Sequence, residues 1–287
     1  MSIPTSPSVP VRVSAVQMEP KLGEVAANLE AILARFDRAA DAGARLIVFP
    51  ECALTGYAFA SRAEALAQST TIPGPSTDRL AEACARRNAF AVCGLLERDG
   101  DRMFNACVLV GPAGVVGVYR KIHLPFIGVD RVVDPGDRPL AVLDAAGLRI
   151  GMHICYDGAF PETGRVLTLL GADLLVLPTN WPSRAESAAE HLMACRAMEN
   201  VVYGLAANRI GIERGFRFIG RSSIADPDGT VIARASADAE EILYADVDPA
   251  RSRQKRLIRI PGQHEVDRIA DRRPDFYGLI AEPNGRT

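Results

Sequence analysis

Hydrophobic and polar positions run along the chain with two different periods, and the switches between them mark out its elements. Val11 to Val16 alternates with a period of two, whereas Leu46 to Phe49 is a short unbroken apolar run, the pattern of a strand covered on both faces. Between them, residues 24–42 place Leu29, Ile32, Leu33 and Phe36 on one helical stripe that stops at Gly43. A second helix is predicted over residues 76–88, with Ser76 as N-cap. Strand-like stretches follow at 89–95, 105–110 and 115–119, the last two joined by Pro112-Ala113-Gly114 as a hairpin. The second half repeats the mixture. Strands are predicted at 148–154, 174–177 and 201–207, and helices at 161–170, opened by Pro161, and at 186–199. A hairpin turns at Asp226-Pro227-Asp228-Gly229, residues 241–247 form a last strand, and the tail after Pro249 reads as charged and irregular. Strands that alternate with helices but are interrupted by hairpins predict a layered α/β fold with mixed sheets. No linker or repeat breaks the interior, so a single domain is expected over residues 11–287 behind a disordered, Ser/Pro-rich lead-in at 1–10.

With 287 residues, 48% of them hydrophobic and 24% charged, the chain is long and apolar enough to bury a sizeable core. A formal net charge of −2 offers no electrostatic reason to expect nucleic acid or a membrane as partner. The six cysteines, Cys52, Cys84, Cys93, Cys107, Cys155 and Cys195, are scattered without a C-x-x-C pair, which suits reduced thiols in the cytoplasm. The N-terminus lacks the basic and apolar regions of a signal peptide, and no apolar run reaches spanning length.

Three reactive side chains fall where predicted strands give way to loops, the place where α/β folds gather ligands. Glu51 follows the apolar run ending Phe49-Pro50, Lys121 follows the strand ending at Tyr119, and Cys155 follows residues 148–154. Cys155 also precedes a helix, so backbone N–H groups of its turn can face a developing oxyanion. Each has a blander reading. A free cysteine is usually a small buried hydrophobe, as expected of Cys84, Cys93, Cys107 and Cys195, and Cys52 reads as a neighbour packed beside Glu51. A lone Glu or Lys is usually solvated. An apolar strand, however, carries Glu51 inward, where desolvation raises its pKa and suits a general base, and a buried Lys121 can hold an oxyanion. His153, two residues before Cys155 on the same strand face, offers a rival Cys–His pair against the reading of a satisfied core histidine, which is favoured. His191 and Cys195, four apart on a helix, lack a second pair and predict no metal site. P-loop, dinucleotide-binding and zincin motifs are absent.

As an ordered set, these strings resemble the nitrilase superfamily of carbon–nitrogen hydrolases. The matching stretches begin at Phe49-Pro50-Glu51-Cys52-Ala53-Leu54-Thr55-Gly56-Tyr57, Tyr119-Arg120-Lys121-Ile122-His123-Leu124-Pro125 and Ile154-Cys155-Tyr156-Asp157. They continue through Asn180-Trp181-Pro182, Arg196-Ala197-Met198-Glu199-Asn200 and Gly220-Arg221-Ser222-Ser223, so the likeness spans residues 11–247. The resemblance implies a four-layer α-β-β-α sandwich with two mixed sheets, a homodimer or higher homo-oligomer paired through outer helices, and no metal or organic cofactor. It implies Cys155 as nucleophile, Glu51 as general base, and Lys121 with the Tyr156 N–H as oxyanion donors. Many members carry a second glutamate between the lysine and the cysteine; here Asp130 is the nearest carboxylate in that loop.

The Cys155-Tyr156-Asp157 string resembles amidase and carbamoylase branches rather than the Cys-Trp-Glu of nitrilases. The arginines that follow the cysteine in carbamoyl-amino-acid hydrolases are absent, and Asp157 stands there instead. The expected substrate is therefore a small, neutral or cationic, non-peptide linear amide, with Tyr57 and Trp181 on the pocket wall. The alternatives are an N-carbamoyl amidohydrolase, a nitrilase, a Cys–His acyltransferase or peptidase, and a non-catalytic binding member of the family.

Overall fold

The structure is a computed structural model that describes residues 9–282, so the expected lead-in lies, apart from Val9 and Pro10, outside the described residues. From the N-terminus, β1 (Val11–Gln17), α1 (Val25–Asp41), β2 (Leu46–Val48), the short α2 (Arg62–Leu66) and α3 (Pro75–Arg87) lead into the meander β3 (Phe90–Asp99), β4 (Arg102–Gly111) and β5 (Gly114–Arg120). Then come β6 (Val142–Ala145), β7 (Leu148–Met152), α4 (Pro161–Leu169), β8 (Leu174–Thr179), α5 (Glu186–Asn200) and β9 (Tyr203–Asn208). Two hairpins follow, β10 (Ile210–Glu213) with β11 (Phe216–Ile219) and β12 (Ser223–Ala225) with β13 (Val231–Arg234), before β14 (Glu241–Val247). After these lie α6 (Pro249–Arg253), β15 (Arg256–Ile260) and β16 (His264–Asp267).

Twelve of the strands form two six-stranded sheets, ordered β14-β1-β2-β3-β4-β5 and β13-β12-β9-β8-β7-β6, and β10-β11 and β15-β16 are separate two-stranded ribbons. Each has a parallel trio at its heart, β1-β2-β3 in one and β7-β8-β9 in the other, with antiparallel strands at the flanks. Side chains of one strand point alternately to its two faces, and here both faces are covered. Leu46 and Val48 pack between the sheets against Ile150, Val176 and Leu205, while Ile47 and Phe49 pack outward against Phe36 of α1 and Leu80 of α3. In the second sheet, Leu174 and Val176 face inward and Leu175 and Leu177 face Leu167 of α4 and Met193 of α5. The layers therefore run α-β-β-α, as expected, and the unbroken apolar runs are explained by burial on both faces.

Several details differ from the sequence reading. Helix α3 starts at Pro75, and its N-terminus is tied by Thr77, whose hydroxyl accepts from Gly74 N and donates to Gly74 O, rather than by Ser76. The tail after Pro249 is not irregular: α6 and the β15–β16 hairpin order it. Cys84, Cys93 and Cys107 are buried as expected, but Cys195 is exposed on the solvent side of α5. No helix among the described residues is long and apolar enough to cross a membrane.

Candidate active site

The candidate residues meet where the two sheets present strand ends. Beyond β2, Phe49-Pro50 carries Glu51 into a tight turn. Gly94 of β3 makes room for it: a Cβ there would lie 2.4 Å from Pro50 O and 2.6 Å from Glu51 Cα. Lys121 leaves the end of β5, its N–H held by the carbonyl of Asn105 at 2.8 Å. Asp130 sits on a 3-10 turn, Gly128–Arg131, docked by the Val129 N–H on Tyr57 O at 2.9 Å. Gly128 has φ +52, and a Cβ there would fall 2.2 Å from the Tyr57 ring, so only glycine lets this turn close on the tyrosine.

These side chains form one buried polar cluster. Lys121 Nζ donates to Glu51 Oε1 at 2.7 Å and to Asp130 Oδ2 at 2.6 Å. Asn105 Nδ2 bridges the same carboxylates, at 2.7 Å to Glu51 Oε1 and 2.9 Å to Asp130 Oδ1. The Tyr57 hydroxyl donates to Asp130 Oδ2 at 2.7 Å. Asp130 is thus a second carboxylate on the lysine, and its short side chain is met by lysine, asparagine and tyrosine together. Glu51 Oε2 is buried and has no hydrogen-bond partner among the described residues.

Cys155 comes from the other sheet. It follows β7 at φ +46, opening the 3-10 turn Cys155–Ala159 that leads into α4. The parallel neighbour β8 ends beside it at Thr179, and Thr179 and the Asn180 N–H pull the thiol toward the thiolate, although Thr179 Oγ1 makes no hydrogen bond among the described residues. The charges of Glu51 and Lys121 act on the thiol, although neither side chain hydrogen-bonds to it in this resting arrangement. Burial and the Glu51 charge push Cys155 up to about 12, despite the opposing pull of Lys121. The resting group is therefore a neutral thiol, not a thiolate, and needs a base at the moment of attack. Burial raises Glu51, offset in part by Lys121. For Lys121, burial pulls downward, but the charges of Glu51, Asp130 and Cys155 outweigh it and hold the ammonium well above the usual lysine value. The arrangement can accept a proton at Glu51 and donate to a growing negative charge from the third N–H of Lys121.

Trp181 is buried in the apolar cluster that also receives Cys155, with Leu177 and Met193, which suits a pocket wall. Tyr57 does more than line a wall, since its hydroxyl holds Asp130. The Tyr156 side chain is exposed, edge-on to Phe160. His153 is buried but makes no bond to Cys155, and both ring nitrogens lack partners among the described residues, so it is not the satisfied core histidine expected. Burial lowers it to about 4, which keeps the ring neutral. Asp157 overturns the expectation that it faces the substrate. It is fully buried and turned away, both oxygens occupied by donors from Tyr119, His123 and Ile154. Arg209 is buried and committed to Glu213 and Pro20 O. Among the described residues no group of three or more His, Cys, Asp or Glu side chains is placed to hold a metal. Asn105 and Thr179 escaped the sequence reading. Their signal was a polar residue on an otherwise apolar buried strand, where every polar group needs a partner.

Comparison with known proteins identifies the family. A family model described as carbon-nitrogen hydrolase matches residues 12–257. The chain is 38% identical over 268 residues to a protein named nitrilase from Pyrococcus abyssi, covering 93% of this chain and 99% of that one. It is 31% identical to an (R)-stereoselective amidase from a Pseudomonas species, covering 96% and 97%. Among solved structures, an amidase from Nesterenkonia sp. shares the fold at a TM-score of 0.79 and 24% identity, over 98% of this chain and 100% of that one. In a mutant of that amidase the acetamide moiety of fluoroacetamide is added covalently at the active-site cysteine. The chain thus belongs to the carbon–nitrogen hydrolases of the nitrilase superfamily.

Proposed function

We propose that this hydrolase cleaves a small, neutral primary amide to a carboxylate and ammonia through a thioester on Cys155. The observation that carries the reading is unused bonding capacity: Glu51 Oε2 has no partner, and Lys121 spends two of its three N–H bonds on carboxylates. In this reaction Sγ attacks the carbonyl carbon as its proton passes to Glu51. The oxyanion accepts from Lys121 and the Tyr156 N–H. As the C–N bond breaks, Glu51 returns the proton to the leaving nitrogen and ammonia departs. Glu51 then takes a proton from water, which attacks the thioester and frees the acid and the thiol. Asp130 does not contact substrate in this scheme; all its bonds serve Lys121, Asn105 and Tyr57.

Support for a neutral substrate comes from charge. Two buried carboxylates face one ammonium, so an added substrate carboxylate meets net negative charge without a free guanidinium at Arg209 or Arg196 to receive it. The nitrilase name of the Pyrococcus relative keeps a nitrile as the second reading. Measuring kcat/KM for an amide, a nitrile and an N-carbamoyl compound with one shared side chain decides between them. Faster turnover of the nitrile or the carbamoyl compound overturns the amide reading and leaves the cysteine chemistry in place. We also read the outer face of α4 and α5, with Val166, Leu169, Leu170 and Met198 partly exposed, as the surface of a homodimer. A monomer by light scattering at micromolar concentration would remove that reading.

A further inference from the structure

Cys155 and Lys121 belong to different sheets, and nothing in either sheet's hydrogen bonding sets the distance between them. One side chain bridges that gap. Asp157 lies two residues beyond Cys155 and is fully buried. Its Oδ2 accepts from Ile154 N at 3.0 Å and from the Tyr119 hydroxyl at 2.8 Å. Its Oδ1 accepts from His123 N at 3.0 Å and His123 Nδ1 at 2.8 Å. A carboxylate only accepts, so the Nδ1 of His123 carries the proton. Tyr119 and His123 sit two residues to either side of Lys121, and Ile154 and Asp157 flank Cys155. Of the four bonds on this one carboxylate, three join the lysine segment to the nucleophile turn and the fourth, from Ile154 N, closes the turn itself. The turn is tied from outside as well: Arg196 Nε donates to Gly158 O at 2.9 Å and Thr163 Oγ1 to Asp157 O at 2.8 Å. The His123 ring stacks on Phe160 at 3.7 Å, closing the same junction.

We propose that Asp157 is a positioning residue that sets the Lys121–Cys155 separation through Tyr119 and His123, and so places the oxyanion donor over the attacked carbon. The proposal rests on the roles given above to Lys121 and Cys155. Its alternative is local: Asp157 caps its own turn through Ile154 N, and the bonds to the lysine segment are incidental. The two differ in what happens when the far donors are removed. A displacement on the order of 1 Å between reacting groups costs about 100-fold in rate.

The test measures kcat and KM for amide hydrolysis in Tyr119→Phe, His123→Ala, His123→Asn and Asp157→Asn, with circular dichroism and melting temperature as fold controls. Tyr119→Phe and His123→Ala are expected to lose about 10-fold in kcat with KM changed less than about 3-fold, and Asp157→Asn about 100-fold. His123→Asn, whose amide can donate near the Nδ1 position, is expected to recover most of the His123→Ala loss. Tyr119→Phe added to Asp157→Asn is expected to cost little more, since the bond it removes has already gone. Folded Tyr119→Phe and His123→Ala enzymes with wild-type kcat overturn the proposal, as does an equal defect in His123→Ala and His123→Asn. If Asp157→Asn does not fold, the Tyr119 and His123 variants still decide. Failure of the underlying reading looks different: wild-type enzyme releases no ammonia from amides, or Cys155→Ala retains turnover.

Discussion

Arg120 and Lys121 are neighbours in sequence, both buried and both surrounded by carboxylates, yet they build clusters of opposite kinds. Arg120 forks onto Glu97, with Nε to Oε2 at 2.7 Å and Nη2 to Oε1 at 2.6 Å, and reaches Asp99 and Asp137 at 2.8 and 2.9 Å. Its guanidinium also lies 3.8 Å over the Phe104 ring. Asp99 and Asp137 are partly exposed, so water shares the charge on that side. Around Lys121 no such relief exists: Glu51 and Asp130 are fully buried, one ammonium proton is uncommitted, and one glutamate oxygen is unpaired. A rigid planar fork suits a structural clamp, and a compact ammonium with spare donors suits a changing charge. Burial and pairing are common to both; spare bonding capacity beside a thiol is what separates chemistry from architecture.

The comparison breaks most sharply at the nucleophile and the lysine. Cys155→Ala is expected to abolish ammonia release, and Lys121→Met to lower kcat by roughly 1,000-fold, on the scale of a lost oxyanion donor. If Lys121→Met keeps full activity, the two clusters are alike after all. Arg120→Met tests the other side. Removing one partner of a buried pair costs about 3–5 kcal/mol, so its denaturation midpoint should fall steeply while kcat per folded molecule, from active-site titration, stays within a few-fold of wild type.

His153 sharpens the rule, because it has spare capacity but makes no bond to Cys155. Its folded value, near 4, lies below the unfolded value of about 6.5. The neutral ring is then fully tolerated above pH 6.5, and stability is lost as pH falls toward 4, by up to about 3 kcal/mol. Denaturation curves for wild type and His153→Leu from pH 7 to pH 4 should diverge in that window; parallel curves would refute the assignment. A smaller effect concerns the acid limb of kcat/KM. Burial raises Glu51, so activity should fall on acidification at a midpoint above the ordinary carboxylate range, and the midpoint belongs to the coupled Glu51–Lys121–Asp130 cluster. Smallest of all, Cys195→Ser, on the exposed side of α5, should change stability by less than about 0.5 kcal/mol.

Much of the architecture was legible in periodicity. The stripe Leu29, Ile32, Leu33 and Phe36 is the buried face of α1, and the runs at Leu46 and Leu174 are strands covered on both sides. The β10–β11 hairpin and the elements beyond Pro249 went unread, because half-exposed strands with many charges carry weak alternation. At the site, the strings around Glu51, Lys121 and Cys155 were visible because each sits at a strand end. The direction of Asp157 was not, since a carboxylate two residues after a cysteine can point to substrate or to core with equal ease in one dimension.

What the sequence determined by itself was local: which segments bury both faces, where strands stop, and which reactive side chains stand at those stops. Periodicity and covalent order suffice for that, because a side chain's face follows from its place in a strand or helix. Tertiary structure alone decided the rest. It brought Asn105 between Glu51 and Asp130, left Glu51 Oε2 without a partner, pushed the Cys155 thiol pKa up, and turned Asp157 inward to join two sheets. Each of these depends on distance and desolvation between residues far apart in the chain, and neither quantity exists until the two sheets have closed on each other.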